Sequence, residues 1–319
     1  MKRRILITGG GGFIGSNLVE VLLKDENNYI IVLDNFYSSR KENLESFLSN
    51  PRFKLMERDV TDSYLHLEEE KIDQIYHLAC PASPKFYQKD PIKTLDTCYL
   101  GTKYMLELAK TTGATLLFTS TSEVYGDPLE HPQKEEYRGN VNPIGPRSCY
   151  DEGKRIGETL CFDYHRRYGV NIRVVRIFNT YGPRMRSDDG RVVSNFIVQG
   201  LKGSKLTIYG DGSQTRSFCH VSDTVQGLIA LMNSSVIGPV NIGNPDEYTI
   251  LQLADQIKQL IEEITGKDIS YVYKDLPKDD PTRRKPVIDK AKSELSWKPE
   301  VHLSVGLKNT IIYFQTYSD

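Results

Sequence analysis

The sequence predicts an α/β protein in which a doubly wound parallel sheet precedes a smaller mixed α/β domain. Two observations carry this. Short apolar strands alternate with helical patterns through the first half, and a glycine-rich turn joins the first strand to the first helix. Strand, helix, strand at this spacing requires crossover connections, so the sheet is parallel and covered on both faces.

Taken in order, Arg4–Thr8 is a short apolar strand, and an apolar-periodic helix is expected from Phe13 to Lys24. Further strands are expected at Tyr29–Leu33, Phe53–Arg58, Gln74–Ala79, Leu116–Thr119 and Ile172–Ile177, with helices at Gly101–Thr111 and Ser148–Tyr168. After Asn179 the pattern loosens. Turns such as Gly182-Pro183, Gly210–Ser213 and Asn244-Pro245 become frequent, and one amphipathic helix is expected from about Leu251 to Glu263. Residues 1–178 should therefore form the first domain and 179–319 the second, with some segments interleaved and a cleft between them.

Composition excludes several classes. The 319 residues, 39% of them hydrophobic, suffice for a large core. A net charge of −1, from 41 basic and 42 acidic residues, argues against a nucleic-acid or membrane-surface partner. No apolar run reaches the roughly 18 residues of a membrane span. The first strand starts by Ile5, which leaves no room for a signal peptide. Cysteines at 80, 98, 149, 161 and 219 include no CxxC pair and are odd in number, as expected for reduced thiols in a cytoplasmic protein. No metal site is expected.

The turn after the first strand reads Gly9-x-x-Gly12-x-x-Gly15 and opens a helix. Glycine allows the tight turn, lets the backbone approach a pyrophosphate, and permits close packing of helix on strand. The helix N-terminus then offers N–H groups and a positive dipole end to the phosphates. With a strand before it and a helix after it, this is the Rossmann-type dinucleotide fingerprint. Asp34, ending the second strand, is placed to accept the ribose hydroxyls and repel a 2′-phosphate, which favours NAD; Arg40 works against that preference. Asp59 is placed to meet the adenine amine. Phe13, Ile14, Asn35, Val60 and Leu78 are assigned to the same cofactor surface.

Tyr150 and Lys154 stand at i and i+4, on one face of the long helix. A phenol has a pKa near about 10, and an ammonium one turn away favours its phenolate. Such a pair can take a proton from an alcohol as a hydride leaves to NAD. Thr121 and Ser122 follow the fifth expected strand, where hydroxyls can bond a reacting oxygen. Glu123 beside them is expected to be buried near an apolar cofactor face, with a raised pKa suited to an acid.

These residues, together with Arg176–Arg184 and Thr215–Phe218, resemble the extended short-chain dehydrogenase/reductases that act on sugar nucleotides. Within that group the chain is most similar to the UDP-glucuronate decarboxylases. The stretches that carry the likeness are Leu78–Pro84, Thr121–Pro128, Asn142–Arg155 and Asp279–Pro286. The resemblance implies that Tyr150 and Lys154, with NAD, oxidise carbon 4 of UDP-glucuronate. The β-keto acid then loses carbon dioxide, and bound NADH reduces the ketone to give UDP-xylose. It implies that Thr121 or Ser122 polarises the ketone, that Glu123 and Arg284 handle the carboxylate and the protonation of carbon 5, and that Arg216 holds the diphosphate. Asn179, Asn195 and Tyr209 match positions lining the sugar nucleotide. The resemblance also implies a homodimer, formed through a four-helix bundle near Leu100–Lys110 and Ser148–Arg167.

Three other readings compete. A 4,6-dehydratase would carry an Asp-Glu pair where this chain has Ser122-Glu123. A 4-epimerase needs no acid there. A non-catalytic NAD sensor has no need of both Tyr150 and Lys154.

Overall fold

Parallel strands covered on both faces must be apolar almost throughout, and the first strand shows it: Ile5, Leu6 and Ile7 have no exposed surface. Each such burial stabilises by about 1.5–3 kcal/mol. The computed structural model describes residues 2–62, 67, 70–275 and 283–317, so Asp279–Thr282 of the last sequence motif lie outside the described residues.

The chain runs β1 (Arg3–Thr8), α1 (Phe13–Leu23), β2 (Asn28–Asp34), β3 (Phe53–Glu57) and β4 (Gln74–His77). It continues through α2 (Pro84–Tyr87), α3 (Pro91–Asp96), a π-turn at Thr97–Gly101, α4 (Thr102–Thr112), β5 (Thr115–Thr121), α5 (Ser148–Tyr168) and β6 (Ile172–Ile177). Then come β7 (Thr180–Tyr181), α6 (Val192–Leu201), β8 (Leu206–Tyr209), β9 (Thr215–Ser217), β10 (Cys219–His220), α7 (Val221–Met232) and β11 (Val240–Ile242). Last are β12 (Glu247–Thr249), α8 (Ile250–Thr265), β13 (Tyr271–Lys274), α9 (Asp289–Leu295) and α10 (Leu303–Tyr317).

The sheet order is β3-β2-β1-β4-β5-β6-β11, with every neighbouring pair parallel. From β3 the chain crosses back over β1 to reach β4. Strand order reverses there, and a crevice opens at the carboxyl ends of β1 and β4. One face of the sheet packs on α1 and α7, through residues such as Leu18, Val19, Val225 and Leu228. The other packs on α4 and α5, through Met105, Leu106 and Cys161. A separate core in the second half gathers Phe196, Ile197, Leu253, Ile257, Leu307 and Phe314.

Three details depart from the sequence pattern. The helix expected at Gly101–Thr111 belongs to a helical run that begins ten residues earlier, at Pro91. Asp90 caps it, accepting from Lys93 N at 3.0 Å, and Pro91 fills the first turn. The seventh strand, β11, comes from beyond residue 178 and pairs with β6 through Val240–Val175 and Ile242–Ile177. The amphipathic helix is α8, which starts one residue before the expected range, where Thr249 and Gln252 form a reciprocal capping box, and runs two residues past it, to a left-handed Gly266.

Candidate active site

A cleft lies at the carboxyl ends of β1, β4 and β5. Its empty space, open mouth included, is about 1590 Å³. Gly9, Gly12, Phe13, Ile14 and Gly15 line it from the turn and the start of α1. Asp34, Asn35, Asp59, Val60 and Leu78 line it from the ends of β2, β3 and β4.

The local chemistry fits a dinucleotide. Gly9 has φ +73°, a conformation that favours glycine, and a Cβ on Gly15 would collide with the Gly9 carbonyl. No side chain caps α1, so its first N–H groups remain for a ligand. Tyr37 Oη and Ser83 Oγ, from two residues that line the cleft, are buried without a hydrogen-bond partner in the protein. Asp34 accepts from Gly11 N at 2.9 Å, Phe36 N at 2.8 Å and Ser39 Oγ at 2.6 Å. A carboxylate has about four acceptor positions, so roughly one is left for a ribose hydroxyl. Burial raises the Asp34 pKa, against the pull of those three bonds. At Asp59, burial opposes the charge, but Lys93 at 2.8 Å, Thr61 and Asn35 outweigh it and hold the carboxyl far below its ordinary value.

Tyr150 and Lys154 sit in the first turns of α5 and face the cleft. Tyr150 stacks on Tyr87, with ring centroids 5.1 Å apart and planes 7° apart, which fixes its phenol. Lys154 Nζ donates to the Thr119 carbonyl at 2.8 Å and lies 5.9 Å from the Tyr150 ring centroid. The expectation that this lysine favours the phenolate needs correcting. The Tyr150 pKa stands well above its ordinary value, because burial and the nearby Cys80 and Glu123 outweigh a hydrogen bond from Thr121. The ammonium is spent on a carbonyl and on the face of Phe118, 5.1 Å away.

Glu123 corrects a second expectation. It lies in the turn Ser122–Tyr125 that follows β5, where Thr121 Oγ1 accepts from its N–H at 3.2 Å. Its two carboxylate oxygens are held by separate guanidiniums: Arg147 Nη2 at 2.8 Å on Oε2, and Arg284 Nη1 on Oε1. Burial would raise its pKa, but the two arginines outweigh burial and hold the group at about 2. Glu123 is therefore an anion at neutral pH and not a stored acid. The carboxyl group of this cluster that titrates near neutrality is Asp151, pushed up to about 7 by burial and by the charge on Glu123. Its Oδ1 is buried without a partner.

Thr121, Ser122 and Asn179 line the cleft with Glu123. Arg284 backs it from behind Glu123 and is 4% exposed, with Nη2 unpartnered. Arg216 is buried on β9, close enough to Glu123 to help lower its pKa. Asn195 lies on α6 and donates to the Gly190 carbonyl at 3.0 Å, and Tyr209 is exposed at the end of β8; neither lines this cleft. Arg147, Asp151 and Arg191 went unassigned from the sequence. Arg147 and Asp151 flank Tyr150 within the Asn142–Arg155 stretch, so their spacing was the available signal. Arg191, which lines the cleft and pairs with Asp189 at 3.2 Å, had none.

Comparison with known proteins agrees with this architecture. A family model described as GDP-mannose 4,6 dehydratase matches residues 6–310. UDP-glucuronic acid decarboxylase 6 of Arabidopsis thaliana is 58% identical over 304 residues, covering 95% of this chain and 86% of that protein. UDP-glucuronic acid decarboxylase 1 of Xenopus tropicalis is 56% identical over 314 residues, covering 98% of this chain and 72% of that protein. Among solved structures, the UDP-glucuronic acid 4-epimerase of Bacillus cereus in complex with UDP-glucuronic acid and NAD superposes with a TM-score of 0.86 at 31% identity, covering 98% of this chain and 99% of that one.

Proposed function

This chain belongs to the UDP-glucuronic acid decarboxylases of the extended short-chain dehydrogenase/reductases, and from that membership we propose that it converts UDP-glucuronate to UDP-xylose with bound NAD. The observation that carries the reading beyond the fold is the Arg147–Glu123–Arg284 cluster beside Tyr150, in which Arg284 Nη2 is buried and unpartnered. A buried guanidinium with a spare donor is suited to a substrate carboxylate.

The glycine turn, Asp34 and Asp59 hold the dinucleotide. The chemistry this cofactor supplies when bound is a hydride acceptor, and later a donor, at carbon 4. Tyr150 takes the proton from the hydroxyl on carbon 4 and returns it in the final reduction, while Lys154 fixes the local charge. Thr121 and Ser122 bond the ketone oxygen. With a ketone β to the carboxyl group, the carbon–carbon bond electrons pass into an enolate as carbon dioxide leaves, and that enolate takes a proton at carbon 5 from water to restore the ketone. Arg284 orients the carboxylate before it leaves. Glu123 balances the arginines, so that they do not grip that carboxylate too tightly. Asn179, inside the cleft, and Arg216 take the adjoining part of the nucleotide, and Asn195 and Tyr209, outside the cleft, are assigned to its far end.

Incubation with UDP-glucuronate should release carbon dioxide and yield UDP-xylose by NMR. Formation of a 4-epimer with its carboxyl group intact would overturn the reading. Arg284→Ala should cut decarboxylation severely while the protein still folds and binds NAD. The same change at Arg283, which is exposed, should be nearly silent. Reversal of the two effects would move the carboxylate ligand to Arg283.

The assembly belongs to the same proposal. Ile156 lies exposed on α5, one of the helices expected to form a four-helix dimer interface, and Ile92, Leu95 and Tyr99 are exposed apolar side chains in the helical run that leads into the other. A nucleotide-binding unit at 1–178 and a sugar-nucleotide unit at 179–319, sharing the sheet through β11, suits this function. Five free cysteines fit a cytoplasmic location. Among the described residues no helix is long and apolar enough to cross a membrane.

A further inference from the structure

Cys80 follows β4 and lines the cleft. Cys98, eighteen positions later, lies in the π-turn Thr97–Gly101 and is buried behind it. The fold brings their sulfurs to 3.2 Å, in hydrogen-bond contact. Cys149, by contrast, bonds the Tyr87 carbonyl, and Cys161 and Cys219 are buried elsewhere in the core.

We propose that Cys80 and Cys98 form a reversible disulfide on exposure to peroxide, and that this bond switches the enzyme off from behind its catalytic helix. Access sets the order of events. Cys80, half-buried on the cleft wall, is the sulfur a small peroxide reaches; Cys98 is covered. The electrostatics agree. Burial opposes a thiolate at Cys80, but the hydrogen bond from Cys98 and the Lys154 ammonium outweigh it and lower the Cys80 pKa. That same hydrogen bond, with burial, raises Cys98.

The Cys80 thiolate attacks one peroxide oxygen, the O–O bond breaks, and a sulfenic acid forms with release of one water. The Cys98 thiol gives up its proton and attacks the Cys80 sulfur. The S–O bond breaks and a second water leaves. Two thiols have lost two electrons and two protons, and the peroxide has become two waters.

The consequence for catalysis follows from packing. A disulfide requires sulfurs about 2.05 Å apart, so from 3.2 Å at least one of them must move by roughly an ångström. Cys98 is packed against Gly153, where a Cβ would meet Cys98 Cβ and Sγ at 3.0 Å. Gly153 lies on α5 between Tyr150 and Lys154. A shift of Cys98 is therefore felt by the turn that holds both catalytic groups, and a misplacement of about 1 Å can cost on the order of 10²-fold in rate.

The test treats the purified protein with hydrogen peroxide, blocks free thiols by alkylation, and maps peptides while following decarboxylation. The expected result is a linked Cys80–Cys98 peptide lacking two hydrogens, appearing in step with a fall in activity on the order of 10²-fold, both reversed by dithiothreitol. Cys98→Ser should start near wild-type activity. In it, Cys80 has no partner and passes on to sulfinic acid, which dithiothreitol does not reduce, so its activity should not return. Wild-type protein whose two thiols remain free after peroxide overturns the switch, as does a link between Cys98 and Cys149. A Cys98→Ser protein that loses and regains activity as wild type does is equally decisive against it. The peptide map does not depend on which sugar nucleotide the protein turns over, so its failure is distinct from a failure of the decarboxylase reading.

Discussion

Tyr150→Phe is expected to slow turnover by ~10²–10⁴-fold, the usual cost of losing one proton-transfer group. The substitution removes only the hydroxyl. The ring keeps its stack on Tyr87, and α5 keeps its place on the sheet, so fold and NAD binding should survive. The pH dependence sharpens the test. Burial has raised the Tyr150 pKa, so at neutral pH the group is a phenol and its basic form gains population as pH rises. Wild-type oxidation at carbon 4 should therefore accelerate with pH until bound substrate and cofactor restore the phenolate, and the Phe variant should lose that slope. Stopped-flow absorbance of NADH, with carbon dioxide followed in parallel, measures both. A variant within a few-fold of wild type would remove Tyr150 from the mechanism.

Glu123→Gln is expected to lower kcat by roughly 10²-fold, through lost electrostatic balance and not through loss of a proton. The wild-type carboxyl, held at about 2 by Arg284 and Arg147, stays ionised from neutral pH down through its ordinary value of 4.5. The sign follows from the depressed pKa: the interaction is present above the ordinary value and fades only as pH falls toward 2. No limb of the rate profile in between should belong to Glu123. Replacing it by Gln leaves two guanidiniums without their shared counter-charge. The substrate carboxylate then pairs with them more strongly in the ground state than in the transition state that expels it. KM should fall or hold while kcat drops, the pattern of ground-state overstabilisation. The cost to folding should also be measurable, since breaking a buried pair runs to about 3–5 kcal/mol. A kcat equal to wild type would leave Glu123 without a chemical role, and a rise in KM with kcat unchanged would make it a simple binding residue.

Much of the fold and part of the site were legible in the sequence, because both rest on local spacing. Apolar runs of strand length separated by helical periods fix a parallel sheet, whatever the rest of the chain does. The glycine turn is read directly because the positive φ of Gly9 and the close backbone approach at Gly15 leave no room for a side chain. Tyr150 and Lys154 share a face because a helix repeats every 3.6 residues. The start of the helical run at Pro91 is also written locally, in the capping pair Asp90-Pro91, although the apolar pattern is stronger further on.

What the sequence by itself determined is thus the class of fold, the place of the glycine turn and the shared helical face that carries Tyr150 and Lys154 into the cleft. The tertiary structure alone decided the charge on Glu123, the attachment of β11 to the sheet, and the meeting of two thiols. Glu123 takes its partners from positions 24 and 161 residues away, Arg147 and Arg284. Cys80 meets Cys98 only because the π-turn brings it behind the cleft. Spacing along a chain specifies which side chains share one element. A pKa or a sulfur–sulfur contact is set by groups from several elements, at distances that exist only once those elements have packed.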